Sequence, residues 1–573
     1  MLFSITVNNK KITAEKGETI LSALNRNGFI IPTLCRIKDL TPTGACRMCV
    51  VEVEGRDRLV TACSEPVAEW MNIKTHSPRV IRARKTIVEL LLSKHPDDCL
   101  YCVSNLNCEL QKLAAELNIR EKRIKGKKIK PRIDQSGHSI VRELSKCILC
   151  GRCVRVCEEI VTVTAIDFAG RGQKTHIGTS MDLDFNFTSC INCGQCTIVC
   201  PAGALHEKQS IEEVQEYLSN PDYLKVVQYS PVVPVAVAEE LGIKIPRDFD
   251  RILNGILRKM GFNKVFLTGF GTDILIEELA NELIVRTDSD EKKPLFVSAC
   301  PAWVKYAEQK MPDLLRNLSV MKPPQQITGA LVKTLFARQS GFKPHQIYSV
   351  SVTPCTAGKF EARRDAMMNR GIYDVDSVLT VRELAKLIKL YGIDLNSTDA
   401  EPADEPMPVK SASAILAEIS GGLTEGIVKS LIYKMTGRIA ERKMFRNIRT
   451  SGQFREADFT AGEKSLKVAV VDGLNGFDKL MASISSGKKY DMVEIMVCPD
   501  GCVNGGGMPV NRTKDEIKNR IKMIWQAEET DAVQLPEFSP AVYNFYEKYL
   551  KSDESLKDKN VLYTYFSSRD VLL

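Results

Sequence analysis

Apolar and polar side chains alternate from Leu2 to Val7, an Asn8-Asn9 pair breaks the run, and a second short strand is predicted beyond it. Glu18 to Asn27 changes to helical spacing closed by Gly28, so the chain opens with a small strand-and-helix unit. An amphipathic helix is predicted over about Pro78 to Ser93. From about Val226 the pattern changes to apolar strands, such as VFLTGF from Val265 and LKVAVV from Leu466, separated by amphipathic helices. That alternation predicts an α/β architecture. The stretch Asn396 to Ser413, rich in Ser, Asp, Glu and Pro, is expected as a surface loop or a break between two lobes. A last helix is expected near Ala541 to Lys551, with no room after it for an appended sensory or receiver module.

At 573 residues the chain is too long for one hydrophobic core and should divide into several units. Its 44% hydrophobic and 26% charged residues match an ordinary soluble protein, without an apolar run long enough to span a bilayer. The opening MLFSITVNNK lacks the order of a signal peptide, so export is not expected. The net charge of +8 is modest, and its densest patch is Arg120 to Arg132, REKRIKGKKIKPR. This is read as a solvated linker, with docking of an acidic electron carrier as the alternative. Neither a nucleic-acid nor a membrane partner is expected.

The nineteen cysteines change the picture most. Their odd count and clustering argue for thiolate ligands in a reducing compartment, with the cytoplasm as the expected location. Cys35, Cys46, Cys49 and Cys63 have a spacing related to plant-type two-iron centres. His95, Cys99, Cys102 and Cys108 suggest one four-iron cluster, and a structural zinc ion could use the same ligands. CILCGRCVRVC and CINCGQCTIVCP are the two halves of a bacterial two-cluster signature in which each fourth cysteine serves the other cluster. Cys147, Cys150 and Cys153 are thus paired with Cys200, and Cys190, Cys193 and Cys196 with Cys157. The last four, Cys300, Cys355, Cys498 and Cys502, lie in VSACPAW, TPCTAGKFE and EIMVCPDGCVNGGGMP. There Gly501 and Gly505 to Gly507 are expected where backbone approaches a bulky group closely or takes a positive φ.

These three segments, in this order, resemble the catalytic domain of iron-iron hydrogenases, and the N-terminal modules match the longer members of that family. The long first gap of the opening cysteine group resembles the N-terminal domains of respiratory complex I and related hydrogenases. The resemblance covers essentially the whole chain and implies a multidomain α+β fold. Its parts are a β-grasp two-iron ferredoxin-like domain (1–79), a small His/Cys cluster domain (80–125), a bacterial two-cluster ferredoxin domain (126–209) and a large α/β, two-lobed catalytic domain (210–573). It implies one 2Fe-2S cluster, three accessory 4Fe-4S clusters and an H-cluster. In the last, Cys300, Cys355, Cys498 and Cys502 hold a four-iron part, and Cys502 bridges to a two-iron centre with carbon monoxide, cyanide and azadithiolate ligands. Implied partners are dihydrogen and protons, ferredoxin or another redox carrier, hydrogenase maturation proteins and, for a sensor, a signalling protein.

The proton route departs from the family. Ala299 stands where a proton-donating cysteine is usual, and Leu279 where a glutamate relay is usual, while Glu282, Ser319 and Arg286 remain. Loss of a positioned general acid costs about 10²- to 10⁴-fold. Gly358 replaces the lysine that holds a cyanide ligand, and Thr353 replaces a methionine near the bridging carbonyl and offers a hydroxyl. Pro354, Lys359, Glu361, Met496 and Gln325 still match the family motif. The leading expectation is a slow hydrogenase suited to sensing. The alternatives are a metabolic enzyme using another proton route, for instance through Glu278 and Glu282, and a non-catalytic electron-transfer subunit.

Overall fold

The computed structural model describes residues 2–128, 132–244, 248–287, 293–510, 513–551, 556 and 558–571. Ile129, Lys130 and Pro131 of the basic patch therefore lie outside the described residues. Among those described, no helix is long and apolar enough to cross a membrane.

The first unit is a five-stranded sheet in the order β2-β1-β5-β3-β4, formed by β1 (Leu2–Val7), β2 (Lys10–Glu15), β3 (Val50–Val53), β4 (Val60–Thr61) and β5 (Asn72–Lys74). β1 pairs antiparallel with β2 and parallel with β5, the arrangement of a β-grasp. Its helix runs Ile20–Arg26 rather than from Glu18, because the Thr19 side chain accepts from the Ser22 N–H and fixes the start there. The next helix, Pro78–Lys94, is capped by Ser77 and ends at His95. Arg84 on its buried face donates to the carbonyls of Met48 and Val50, tying it to the β-grasp.

The ferredoxin-like unit has a three-stranded sheet of β6 (Ile133–Asp134), β7 (Ile140–Glu143) and β10 (Leu205–Glu207), with a small hairpin of β8 (Asp167–Ala169) and β9 (His176–Gly178). Glu207 on β10 makes a buried bidentate pair with Arg382 at 2.7 and 3.1 Å, which fixes this unit to the catalytic domain.

The catalytic domain is built on two sheets. One is wholly parallel, in the order β12-β11-β14-β17, from β11 (Leu224–Tyr229), β12 (Lys264–Leu267), β14 (Ile347–Thr353) and β17 (Ser377–Thr380). The other, β13-β20-β19-β18, joins parallel β13 (Leu295–Phe296), β20 (Met492–Met496) and β19 (Lys464–Asp472) to an antiparallel edge, β18 (Phe454–Ala461). Between β14 and β17 lies a short hairpin of β15 (Met368–Asn369) and β16 (Ile372–Tyr373). Both faces of β14 and β20 are buried, so β20 is apolar apart from Glu494 and β14 sets the small residues Ser349 and Ser351 between its apolar ones. Successive residues of β19 divide between two cores. Val468 and Val470 pack with Phe270, Ile274 and Leu279 of the Thr268–Thr287 helix, whereas Ala469 and Val471 pack toward the ferredoxin-like unit.

Two elements differ from their sequence expectation. VFLTGF is a strand only as far as Leu267, since Thr268 already begins the helix. The segment after Ser397 is a packed strap rather than a surface loop. Asp404 accepts from Arg258, Lys264 and the Val265 N–H, Met407 is fully buried, and Ser411 bonds to Asp273. The helix expected to be the last runs Pro540–Asn544 and widens into a further turn over Phe545–Leu550, and one more short helix, Lys559–Leu562, follows it.

Candidate active site and cluster relay

The four distant cysteines converge because each follows the carboxyl end of a parallel strand, where open α/β sheets place their ligands. Cys300 follows β13 and precedes the Pro301–Lys310 helix, Cys355 follows β14, and Cys498 and Cys502 follow β20. All four line a cavity of about 130 Å³ together with Ala299, Thr353, Pro354, Gly358, Glu361, Gln325, Met496 and Cys193. Burial raises the thiol pKa values of Cys300, Cys355 and Cys502, those of the latter two strongly. Such thiols become thiolates only beside a positive charge, which an iron cluster supplies. The donor set therefore fits a cluster.

The glycines serve this convergence through backbone packing. Gly501 has φ +95°, and a Cβ there would meet the Ser420 N at 2.7 Å. At Gly505 a Cβ would meet the Pro354 carbonyl at 2.4 Å, and at Gly506 the Cys193 carbonyl at 2.2 Å. The close approach is thus between the ligand loops themselves and to the ferredoxin-like unit.

Around the cavity, the Thr353 Oγ1 accepts from the Cys355 N–H at 3.2 Å, which leaves its own proton to donate elsewhere. Gln325 donates to the Gly358 carbonyl at 3.1 Å and to Glu361, and accepts from Ser351 at 3.1 Å. Burial pushes the Glu361 carboxyl up to about 7, against the donations of Gln325 and Gln326. Lys359 does not line the cavity. Its ammonium is buried on Glu383 at 2.9 Å, the Ser210 hydroxyl at 2.9 Å and the Val378 carbonyl at 2.6 Å.

Ser319 donates to Glu282 at 3.0 Å, and Arg286 donates to the other carboxylate oxygen of Glu282 at 2.7 Å. Leu279 is fully buried in an apolar cluster, and Ala299 presents only a methyl group to the cavity. Glu278 is not on a merely solvated face, since it accepts from Tyr546 at 2.7 Å and Tyr563 at 3.5 Å.

Sequence reasoning missed several residues. Gln195 donates to the Cys498 Sγ at 3.1 Å and to the Asn504 carbonyl at 2.8 Å. Its place between Cys193 and Cys196 was the available signal. Glu418 lines the cavity and accepts from Ser230, and burial pushes its carboxyl up to about 7. No motif flags it. Glu494 also lines the cavity, but three donors from Gly421 and Thr424 engage it at the start of the Gly422–Thr436 helix.

The remaining cysteines and His95 fall into four groups. Cys147, Cys150, Cys153 and Cys200 line one small cavity of about 20 Å³. Cys157, Cys190 and Cys196 are electrostatic neighbours, as are Cys193 and Cys498. In the β-grasp, Cys35 adjoins Cys46 and Cys63, and Cys63 adjoins Cys49. Cys35 and Cys46 pack in one cluster with Cys150. His95 is buried, and desolvation lowers its pKa to about 4, so it is a neutral imidazole. Its Nδ1 is buried with no hydrogen-bond partner among the described residues, as befits a metal ligand. Cys108 donates to the Pro201 carbonyl at 3.5 Å, placing this loop beside Cys200.

Parallel sheets whose strand ends gather four cysteines, preceded by three cysteine-rich units, define an iron-sulfur oxidoreductase. Residues 224–506 match the family described as the C-terminal domain of the iron only hydrogenase large subunit. Residues 2–78 match a 2Fe-2S cluster binding domain, 84–123 the iron-sulfur binding region of NADH-ubiquinone oxidoreductase G, and 146–204 a 4Fe-4S dicluster domain. The chain is 35% identical to the NADP-reducing hydrogenase subunit HndD of Solidesulfovibrio fructosivorans, over 100% of both chains. It is 33% identical to iron hydrogenase 1 of Clostridium pasteurianum, over 91% of each. A solved apo [FeFe]-hydrogenase HydA1 from Chlamydomonas reinhardtii superposes with TM-score 0.57 at 29% identity, covering 64% of this chain and 100% of that one. The chain belongs to the iron-iron hydrogenase family.

Proposed function

We infer that this protein interconverts dihydrogen with protons and electrons, and that it does so slowly, in a manner suited to sensing hydrogen. One observation carries the slow reading. Ala299 lines the cavity and Leu279 is fully buried in an apolar cluster, at positions where the family resemblance implies a thiol and a carboxylate, while Ser319, Glu282 and Arg286 remain bonded to one another.

Cys300, Cys355, Cys498 and Cys502 would hold the H-cluster, which supplies the metal pair where dihydrogen is split or formed. Gln195 orients Cys498 and offers its sulfur a hydrogen bond. Gln325 holds the loop of Gly358 and Glu361 against the cavity wall. Apolar Ala299, Pro301, Val297 and Met496 limit water there. Cys193 brings the Cys157, Cys190, Cys193 and Cys196 group against Cys498, so electrons have a continuous course from the N-terminal groups. Two groups, that of the β-grasp and that of His95, meet the Cys147 group, which makes the relay branched.

The test is hydrogen evolution from reduced viologen by fully matured protein, normalised to its two-iron content. Infrared bands of bound carbon monoxide and cyanide verify that content. A low native rate raised at least about tenfold in Ala299→Cys supports the reading, since a positioned acid is worth about 10²- to 10⁴-fold. A fast native enzyme that is indifferent to the thiol would establish another proton route and a metabolic role. Absence of the infrared bands after maturation would favour a non-catalytic subunit.

A further inference from the structure

We propose that electrons pass between this protein and a small, acidic, low-potential iron-sulfur carrier docked on the loop that carries His95, Cys99, Cys102 and Cys108, and not at the β-grasp. This rests on reading the chain as a cluster relay, and it assigns one of its two branches as the entrance.

The two branches differ in access. Cys35, Cys46, Cys49 and Cys63 are all buried, whereas Cys99 is exposed. Around Cys99, Leu100, Tyr101 and Leu106 are 85, 90 and 88% exposed within one short loop. Three large apolar side chains displayed together beside an exposed cluster ligand have no role in packing, and such groups mark interaction surfaces. The loop is also held rather than loose. Glu109 donates its N–H to the Pro201 carbonyl at 3.0 Å, Gln111 bonds to both Leu106 and Asn105, and Ser104 abuts Gly203.

Charge identifies the partner. The basic segment stays exposed, as a solvated linker would, and is held beside the start of this loop. Lys122 and Lys128 both pair with Asp97, Lys128 also donates to the His95 carbonyl, and Arg123 pairs with Glu89 at 2.7 Å. Gly126 lies so close to the end of the Pro78–Lys94 helix that a Cβ would meet the Ser93 carbonyl at 2.9 Å. From Arg120 to Lys128 there are six cations against the single acid Glu121, and all seven side chains are exposed. The loop's own Asp97 is neutralised by two of them. Exposed apolar residues that follow Asp97, where Lys122 and Lys128 of a net positive segment are anchored, are complementary to an acidic carrier, whose approach the field would accelerate.

The exchange itself balances simply. One electron leaves the carrier's reduced cluster and enters the cluster of the His95 group, and the oxidised carrier departs. Two such encounters supply the two electrons of one dihydrogen. The onward step is short, because Cys108 touches Pro201, next to Cys200.

The test uses the matured full chain and an acidic bacterial ferredoxin carrying two 4Fe-4S clusters, with reduced viologen as a donor that needs no docking. Two variants address the surface, Tyr101→Ser/Leu106→Ser for its centre and Lys125→Glu/Lys127→Glu for its rim. Ile30→Ser/Trp70→Ser serves as the control, since it removes the two most exposed large apolar residues of the β-grasp. In both surface variants the KM for ferredoxin should rise at least about tenfold, with viologen-driven rates within about twofold of the parent. The rim variant should also lose most of its salt dependence. A second readout is free of turnover: in protein lacking the two-iron centre, stopped-flow reduction of the clusters by reduced ferredoxin should slow by a similar factor. Unchanged ferredoxin kinetics, equal losses with both donors, or a KM effect confined to the β-grasp control would each overturn the proposal. Wild-type protein that turns over with viologen but not with ferredoxin would overturn the carrier class alone. Failure with both donors would instead count against the hydrogenase reading.

Discussion

Replacing Gln195 tests whether a side chain of the ferredoxin-like unit tunes the catalytic cluster. Its amide donates to the Cys498 Sγ at 3.1 Å and to the Asn504 carbonyl at 2.8 Å, in a buried setting. A hydrogen bond to a cluster sulfur stabilises the more negative, reduced state, so its loss lowers the reduction potential. Hydrogen bonds to charged groups are worth about 1.5 to 3 kcal/mol net, of which only the difference between redox states counts. A difference of about 0.5 to 1.5 kcal/mol corresponds to a one-electron shift of about 20 to 60 mV. Gln195→Met keeps the bulk of the side chain and removes the donor. Protein matured without the two-iron centre isolates the four-iron part, whose potential an EPR-monitored redox titration reads. The expected shift is negative. A positive shift, or one below about 10 mV, would refute the coupling. The same variant should be less stable, because the buried Asn504 carbonyl loses a partner at about 1 to 3 kcal/mol.

Three further outcomes follow from the geometry. Glu383→Ala leaves the Lys359 ammonium buried without its carboxylate and should cost about 3 to 5 kcal/mol in denaturant unfolding, with Lys359→Met restoring part of it. Infrared bands of the matured variant should be unmoved, because Lys359 does not line the cavity. On the proposed interruption of the proton route at Ala299, Glu282→Gln should change native turnover less than about twofold, yet should lower turnover markedly in the Ala299→Cys background. Equal effects in both backgrounds would place the native proton path through Glu282. Asp273 is pushed up to about 8 by burial, against the two bonds from Ser411. The folded state therefore retains its proton where the unfolded chain, titrating near pH 4, does not. Its contribution to stability is full below pH 4 and is lost as pH rises through about 8. Asp273→Asn should flatten the fall in denaturant stability between pH 5.5 and 8, and an unchanged slope would contradict this.

Cysteine spacing made the relay legible in the sequence, because thiolates a few positions apart in one loop can reach one cluster whatever surrounds them. The crossing of Cys200 to the Cys147, Cys150 and Cys153 group was readable from the repeated signature, and these four line one cavity. The strand periodicity likewise announced an α/β catalytic domain, since parallel strands covered on both faces require apolar runs. Helix boundaries were less legible, as Thr19 and Thr268 illustrate. Caps and strand ends depend on single side-chain bonds that periodicity does not register.

Only the tertiary structure could say which residues face the cavity. Lys359 sits one position from Gly358 in a matching motif, yet a helical step of one residue turns a side chain about 100°, and its ammonium finds Glu383 instead. Gln195 and Glu418 acquire their places from contacts between segments hundreds of residues apart, which no local pattern encodes. The basic segment from Arg120 to Lys128 was visible as charge alone. That it stays in solvent yet is held beside His95 depends on its pairing with Asp97 and Glu89, and long-range pairing of this kind is decided by the packed chain.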